Sequence, residues 1–248
     1  MTLLASLAWT QDQGRDFHWS GKLAPEQLVE IRNINGSINA EGADTDEVQV
    51  TAEKRGPHAD QVRIEVVPNS EGVLICAIYP GSSDSCERGG HWKGNNERNN
   101  TQVHFMVRMP RNLRFAGESV NGNVAAENMG RFVNAESVNG SIRVSTAAWA
   151  KASSVNGSIK ARMGNADWTG TLKLSTVNGS IELEMPADMN AELSFSSVNG
   201  RVDSDFPVTI KGGFVGHSAH GTIGSGGRQL VIDTVNGNLE LRKLSGSV

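Results

Sequence analysis

Short runs of alternating apolar and polar residues cover most of the chain, and in its second half they come in pairs separated by one recurring break. In Leu172-Lys173-Leu174-Ser175-Thr176 and Leu230-Val231-Ile232-Asp233-Thr234 the apolar and threonine positions fall on one face, since residues two apart in a strand share a side. Val177 and Val235 then slip the alternation by one position, directly before Asn-Gly. A new run starts after each break: Ile142-Arg143-Val144, Ile159-Lys160-Ala161, Ile181-Glu182-Leu183, Val202-Asp203-Ser204 and Leu239-Glu240-Leu241. A slip at the same place in every copy predicts a corner, with Ser/Thr and Val on its two sides both available to the interior. Gly supplies the positive φ that such a corner often needs, and Asn tolerates it better than most residues.

The break recurs at Asn35, Asn121, Asn139, Asn156, Asn178, Asn199 and Asn236, with a variant, Ser218-Ala219-His220-Gly221-Thr222-Ile223, in the same frame. From Asn121 onward the intervals are 18, 17, 22, 21, 21 and 16 residues, the periodicity of a repeat architecture. Asn-Gly can close tight hairpins in a meander or mark one corner of every coil in a solenoid. A meander needs a second turn signal per repeat, and Ser145 to Lys151 (STAAWAK) has none. The expected fold is therefore all-β, a single β-solenoid of stacked coils of 16 to 22 residues. Residues 15–110 form a strand-rich N-terminal part with an inserted Gly/Asn-rich loop at 81–101, residues 111–244 the repeats, and 245–248 a tail. Stacking would line up the seven asparagines in an amide ladder, each donating to one neighbour and accepting from the other, with His220 as a substitute rung.

Composition narrows the function classes. With 23 basic and 27 acidic residues the formal charge is -4, which gives no field for a polyanion and argues against nucleic-acid binding. No apolar run reaches the length of a membrane-spanning helix. Residues 1–14 carry an apolar stretch, Leu3 to Trp9, with a small-x-small Ser6-Leu7-Ala8 but no basic start. This reads as a clipped signal peptide in preference to an unstructured cytosolic start. Cys76 and Cys86, ten positions apart across a Pro-Gly-Ser stretch, read as a disulfide of an exported β-rich chain, with two unpaired thiols as the alternative. They lack the close pairing of a zinc site with His91 or His104, and no metal or cofactor is expected. The serines form a column without a nucleophile elbow, and no helix follows the Gly224 to Gly227 run to make a phosphate cradle.

The run Glu30-Ile31-Arg32-Asn33-Ile34-Asn35-Gly36-Ser37-Ile38, the strand ending Val107-Arg108-Met109-Pro110 and the later Ser-Val-Asn-Gly-Ser-Ile copies resemble the bacterial putative-adhesin family, a domain of unknown function with a β-solenoid fold. The resemblance runs from about Phe17 to Leu244 and implies an extracytoplasmic protein, periplasmic, cell-surface or secreted, with an adhesive, scaffold or envelope-stress role. It supplies no catalytic residues, and no anchor is expected after Leu244-Ser245-Gly246.

Outward positions after each corner should stack into the columns Arg143, Lys160, Glu182, Asp203, Glu240 and Ser145, Arg162, Glu184, Asp205, Arg242. Lys160 with Glu182 and Arg162 with Glu184 are opposite charges. Glu182, Glu184, Asp203 and Asp205 would put four carboxylates on two neighbouring coils, a candidate contact for Ca²⁺ or an acid/base pair acting on polysaccharide, although alternation alone already predicts solvated charges there. Trp92, in the polar loop, is a candidate for stacking on a sugar or partner. Three readings follow: a non-enzymatic adhesin-like or scaffold module for an envelope glycan or protein, a polysaccharide-acting enzyme, or a self-assembling envelope protein.

Overall fold

The computed structural model describes residues 14–81, 86–87, 100–210 and 218–246. The signal-peptide reading, Trp92 and most of loop 81–101 lie outside these residues. The described chain is all-β apart from one short 3-10 turn at Ala59–Gln61. In chain order its strands are β1 (Asp16–Gly21), β2 (Leu28–Asn35), β3 (Ile38–Ala43), β4 (Val48–Arg55), β5 (Arg63–Asn69), β6 (Gly72–Ile78), β7 (Gln102–Pro110), β8 (Arg114–Asn121), β9 (Val124–Met129), β10 (Val133–Asn139) and β11 (Ile142–Thr146). They continue as β12 (Ala150–Asn156), β13 (Ile159–Met163), β14 (Thr171–Asn178), β15 (Ile181–Met185), β16 (Ala191–Ser196), β17 (Val202–Ser204), β18 (Val208–Ile210), β19 (Ser218–Ile223), β20 (Arg228–Asn236) and β21 (Leu239–Lys243).

Two large open sheets result. One has the order β1-β4-β7-β3-β9-β11-β13-β15-β21-β17, the other β18-β19-β16-β20-β14-β12-β10-β8-β2-β6-β5. Each Asn-Gly corner carries the chain from the second sheet into the first, so one turn of chain contributes one strand to each. Like residues stack because the parallel pairing is in register, Ile142 on Ile159, Ile159 on Ile181 and Ile181 on Leu239. These side chains meet Ala152, Leu174 and Ile232 of the opposite sheet in one continuous buried core. Trp168 closes the core at one wall, 1% exposed, its indole N–H donating to the Gln229 carbonyl at 3.0 Å.

The stacking order departs from chain order at both ends. The β6–β7 turn sits outside β2–β3, with β4 and β5 added antiparallel beyond it. At the other end the last turn, β20–β21, enters between β14–β15 and β16–β17. The rungs therefore run Asn35, Asn121, Asn139, Asn156, Asn178, Asn236, Asn199. His220 is not a rung: it lies in β19, antiparallel to β16 and opposite Ser194, in a hairpin that covers the end of the sheet. Its Ser-x-His-Gly-Thr-Ile string imitates the corner frame without making a corner.

Packing at the corners explains the frame. The Ser/Thr two positions before Asn points inward and donates to the carbonyl of the corner glycine in the adjoining turn: Ser137 to Gly122 and Ser154 to Gly140 at 2.9 Å, Thr176 to Gly157 at 2.8 Å. A buried carbonyl without a partner is costly, so this hydroxyl column is part of the fold. The glycines are needed for closeness. A Cβ on Gly157 would overlap the Gly140 carbonyl, and one on Gly179 the Gly157 carbonyl. Only Gly36 among the corner glycines has a left-handed φ, 113°, so close approach, more than positive φ, sets the Gly requirement. The valines before Asn differ from expectation too: Val120 packs partly against the core, but Val138, Val155, Val177, Val198 and Val235 face solvent, 38–51% exposed. The slip ahead of the corner turns them outward and leaves the interior to Ser/Thr.

Gly157→Ala is expected to destabilise the fold by about 3 kcal/mol, because backbone lies where the methyl must go. Thr176→Val, which keeps the shape and strands the Gly157 carbonyl, should cost about 1 to 2 kcal/mol. Denaturant titration of both variants checks the order, and an indifferent Gly157→Ala would contradict the close-approach account.

Candidate binding surface

The asparagine rungs form a polarised amide ladder. Asn121 Nδ2 donates to Asn35 Oδ1 at 2.8 Å, Asn139 to Asn121 at 2.9 Å, and Asn156 to Asn139, Asn178 to Asn156, Asn236 to Asn178 and Asn199 to Asn236 at 2.8 Å each. The residue after Gly adds a second column. Asn123 Oδ1 accepts from the Ser141 N–H, Ser158 Oγ from Ser180, Ser180 Oγ from Asn238 and Asn238 Oδ1 from Arg201. At the Asn35 end, buried Asn33 replaces the hydroxyl and donates to the Gly36 and Val103 carbonyls at 3.0 and 2.8 Å. The Tyr79 hydroxyl lies 2.9 Å from the Asn35 carbonyl and accepts from its N–H at 3.3 Å.

Along the first sheet, one register column runs Thr51, Met106, Asn39, Ala125, Arg143, Lys160, Glu182 and Glu240. Short side chains at Asn39 and Ala125 sit beside longer ones. Two adjoining grooves result, of about 500 and about 480 Å³, which share Asn39 and Ala125. Ser141, Ser158 and Ser180 line one side and Arg143 and Lys160 the other. Met106, 64% exposed, lies in the second groove. Alternation in Val103 to Val107 puts Met106 outward, which was readable; its alignment with Asn39 needs the out-of-order β7 placement and was not.

The carboxylates proposed as a cluster are separated. Insertion of β21 places Glu240 between Glu182 and Asp203, and Arg242 between Glu184 and Asp205. Lys160 Nζ contacts Glu182 at 2.7 Å and Arg162 Nε contacts Glu184 at 2.9 Å. Arg242 reaches Asp203 at 2.7 Å, Glu240 at 3.2 Å and Asp205 at 3.3 Å. The hydrogen bond from Arg242, reinforced by its charge, holds the Asp203 carboxyl below the usual range and pushes the guanidinium higher still. Among the described residues no group of three or more His, Cys, Asp or Glu is placed to hold a metal ion.

On the second sheet the described part of the polar loop is pinned at two points. Cys76 and Cys86 are joined, with Cα atoms 5.8 Å apart, and with Leu74 and Ile78 make a small cluster on the outer face. Arg32, on β2, donates to the Glu87 carbonyl at 3.0 Å and pairs with Glu30 at 2.7 Å. Trp149 is half-buried against Phe132, ring centroids 4.5 Å apart.

Tyr79 is the sole tyrosine. Burial pushes its phenol well above the ordinary value, with the Asn35 backbone hydrogen bond a smaller opposing influence. A folded-state value above the unfolded one means that the contribution to stability is complete below about pH 10 and is lost as pH rises through the folded value. Phenolate absorbance should therefore appear only together with unfolding, and Tyr79→Phe should flatten the alkaline fall in stability. Replacing both Cys76 and Cys86 by Ser should cost about 2 to 3 kcal/mol in denaturant unfolding.

No curated protein matches the chain in sequence. Among solved structures, a putative cell adhesion protein from Clostridium sporogenes ATCC 15579 is similar with a TM-score of 0.48 and 8% identity over 92% of this chain and 100% of that one. A putative adhesin from Bacteroides fragilis NCTC 9343 is similar with a TM-score of 0.38 and 12% identity over 93% of this chain and 98% of that one. Residues 93–242, more than half of the chain, match the family described as Toastrack DUF4097. The chain belongs to the Toastrack DUF4097 family.

Proposed function

We propose that the chain is a non-enzymatic β-solenoid module, exported to the cell envelope, that binds or organises envelope material along its stacked face. The observation that carries this reading is the open groove that crosses successive turns in one register column, a shape suited to an elongated ligand instead of a small substrate. Seryl and amide groups along one side offer hydrogen bonds at successive turns, and the other side is cationic at Arg143 and Lys160 before it becomes anionic at Glu182 and Glu240. The Cys76–Cys86 bridge supports an oxidising compartment.

The charge arrangement weighs against the enzymatic alternative. Glycoside cleavage needs one carboxyl raised and protonated opposite an ionised partner. Here Glu182, Glu184, Asp203 and Asp205 each face a Lys or Arg, and Asp203 is shifted downward.

Expressed in its native cell, the chain should fractionate with the periplasm or envelope, and the purified protein should retain envelope material that the Arg143→Glu/Lys160→Glu variant retains several-fold less. Cytoplasmic residence, or equal capture by the variant, would refute the reading. Glu184→Gln and Asp203→Asn should leave capture unchanged.

A further inference from the structure

Among the described residues, six large apolar side chains stand exposed, and five of them are corner valines, all but Val120, which packs partly against the core. In stacking order they form one row, Val138, Val155, Val177, Val235, Val198, flanked along its length by the amide ladder. The fold does not demand valine there, since the side chain points to solvent and threonine has comparable strand preference. Apolar side chains scattered singly are ordinary on a surface, whereas these adjoin one another in a straight row rimmed by polar groups, the arrangement of an interaction site more than of chance exposure.

The neighbouring amides are only half used. A carboxamide has two N–H donors and two acceptor lone pairs, and the ladder consumes one of each at Asn139, Asn156, Asn178 and Asn236. Each rung thus sets a methyl pair beside an uncharged donor and acceptor, repeated at strand spacing of about 4.8 Å. The row is about 19 Å long and one side chain wide. A second copy docked on it would bury on the order of 200 Å² per partner, well short of the roughly 800 Å² of a stable protein interface. Its dimensions fit one narrow, linear, regularly repeating chain. The repeat must present an apolar side and a hydroxyl edge at every unit, and it must carry no negative charge, because Val and Asn offer no cation and the column on the far side of the row is Glu136, Ser153, Ser175, Asp233 and Ser196.

We propose that this ridge is a binding site for an extended, uncharged β-linked polysaccharide lying along the stack axis, with the C–H faces of its sugar rings on the valines and its hydroxyls on the spare amide groups of the ladder. The site lies on the opposite side of the ladder from the groove. The inference rests on the reading of the chain as an envelope-binding module and adds the ligand class.

The test uses the full chain with soluble cello-oligosaccharide and chito-oligosaccharide in calorimetry, and with insoluble cellulose and chitin in sedimentation. Wild type should bind at least one of them. Val155→Ser/Val177→Ser should weaken that binding about tenfold or more, since a methyl pair is lost at each of the two positions. The variant is expected to keep the wild-type melting temperature within a few degrees, because both positions face solvent. Val155→Thr/Val177→Thr, which restores a methyl at each position, should recover part of the affinity. Absence of binding by the folded wild type to all four probes overturns the proposal, as does unchanged binding by the serine variant. So does a concentration-dependent dimer that the serine variant abolishes, which would assign the ridge to a second copy. Envelope capture that survives the serine substitutions while Arg143→Glu/Lys160→Glu abolishes it would sink this inference and leave the broader function standing.

Discussion

Everything in this molecule hangs on how closely one corner can approach the next. Parallel strands in register require adjoining turns at strand spacing along their whole length, and at a corner the backbone itself is what collides. Glycine removes the collision, and the buried hydroxyl two positions before Asn then supplies the hydrogen bond that the buried carbonyl of the neighbouring glycine would otherwise lack. The residues of the frame divide the work, with Gly allowing the approach, Ser/Thr satisfying a buried acceptor, Asn building the outer ladder, and the following Ile or Val filling the core. A buried unsatisfied acceptor costs about 1 to 3 kcal/mol, so loss of the hydroxyl at even one turn is a sizeable part of a typical margin of stability.

That division of labour explains how much was legible. The corner series and the strand after each corner were readable because a residue's side in a strand is fixed by counting. The amide ladder followed once the corners stacked, and the Lys160–Glu182 and Arg162–Glu184 pairs followed from neighbours adjacent both in chain and in space. The direction of the valines was misjudged because a slip of alternation shows that a corner exists without showing which of its two flanks turns inward. His220 was misplaced because its short string matches the frame, whereas pairing direction is set by what β16 offers across the sheet. The four-carboxylate cluster does not form because stacking order departs from chain order at this end. One inserted strand, β21, puts Glu240 and Arg242 where Asp203 and Asp205 were expected.

The two ends of the stack are finished by different chemistry. At the Asn35 end the repeat stops against a turn without Asn-Gly, and Asn33 and Tyr79 take over from the hydroxyl column and ladder by capping the Asn35 and Gly36 backbone. Antiparallel β1, β4 and β5 then replace parallel neighbours, which keeps short or charged strands at the edges, the usual protection against edge-to-edge association. At the Asn199 end the second sheet is closed by the β18–β19 hairpin, while the first ends on the three-residue strand β17. Both edges are short, and the long regular surfaces are the sides of the stack.

Insertion of β20–β21 also governs how the surface can be assembled. β16 and β17 are made before β20 and β21, yet in the native stack their neighbours toward the repeats are β20 and β21. The Asn199 turn therefore lacks its place until the chain has returned from the β19 hairpin, and Trp168, bonded to the Gln229 carbonyl and receiving Arg228 Nε on its own carbonyl, fixes where that returning strand enters. Contacts of long sequence separation must form before this end is stable, which places it late in folding relative to the locally connected turns from β8 to β15. The corner row and the ladder become continuous only when that insertion is complete, so the length of the proposed ridge site depends on the last strands docking in the middle of the stack and not at its tip.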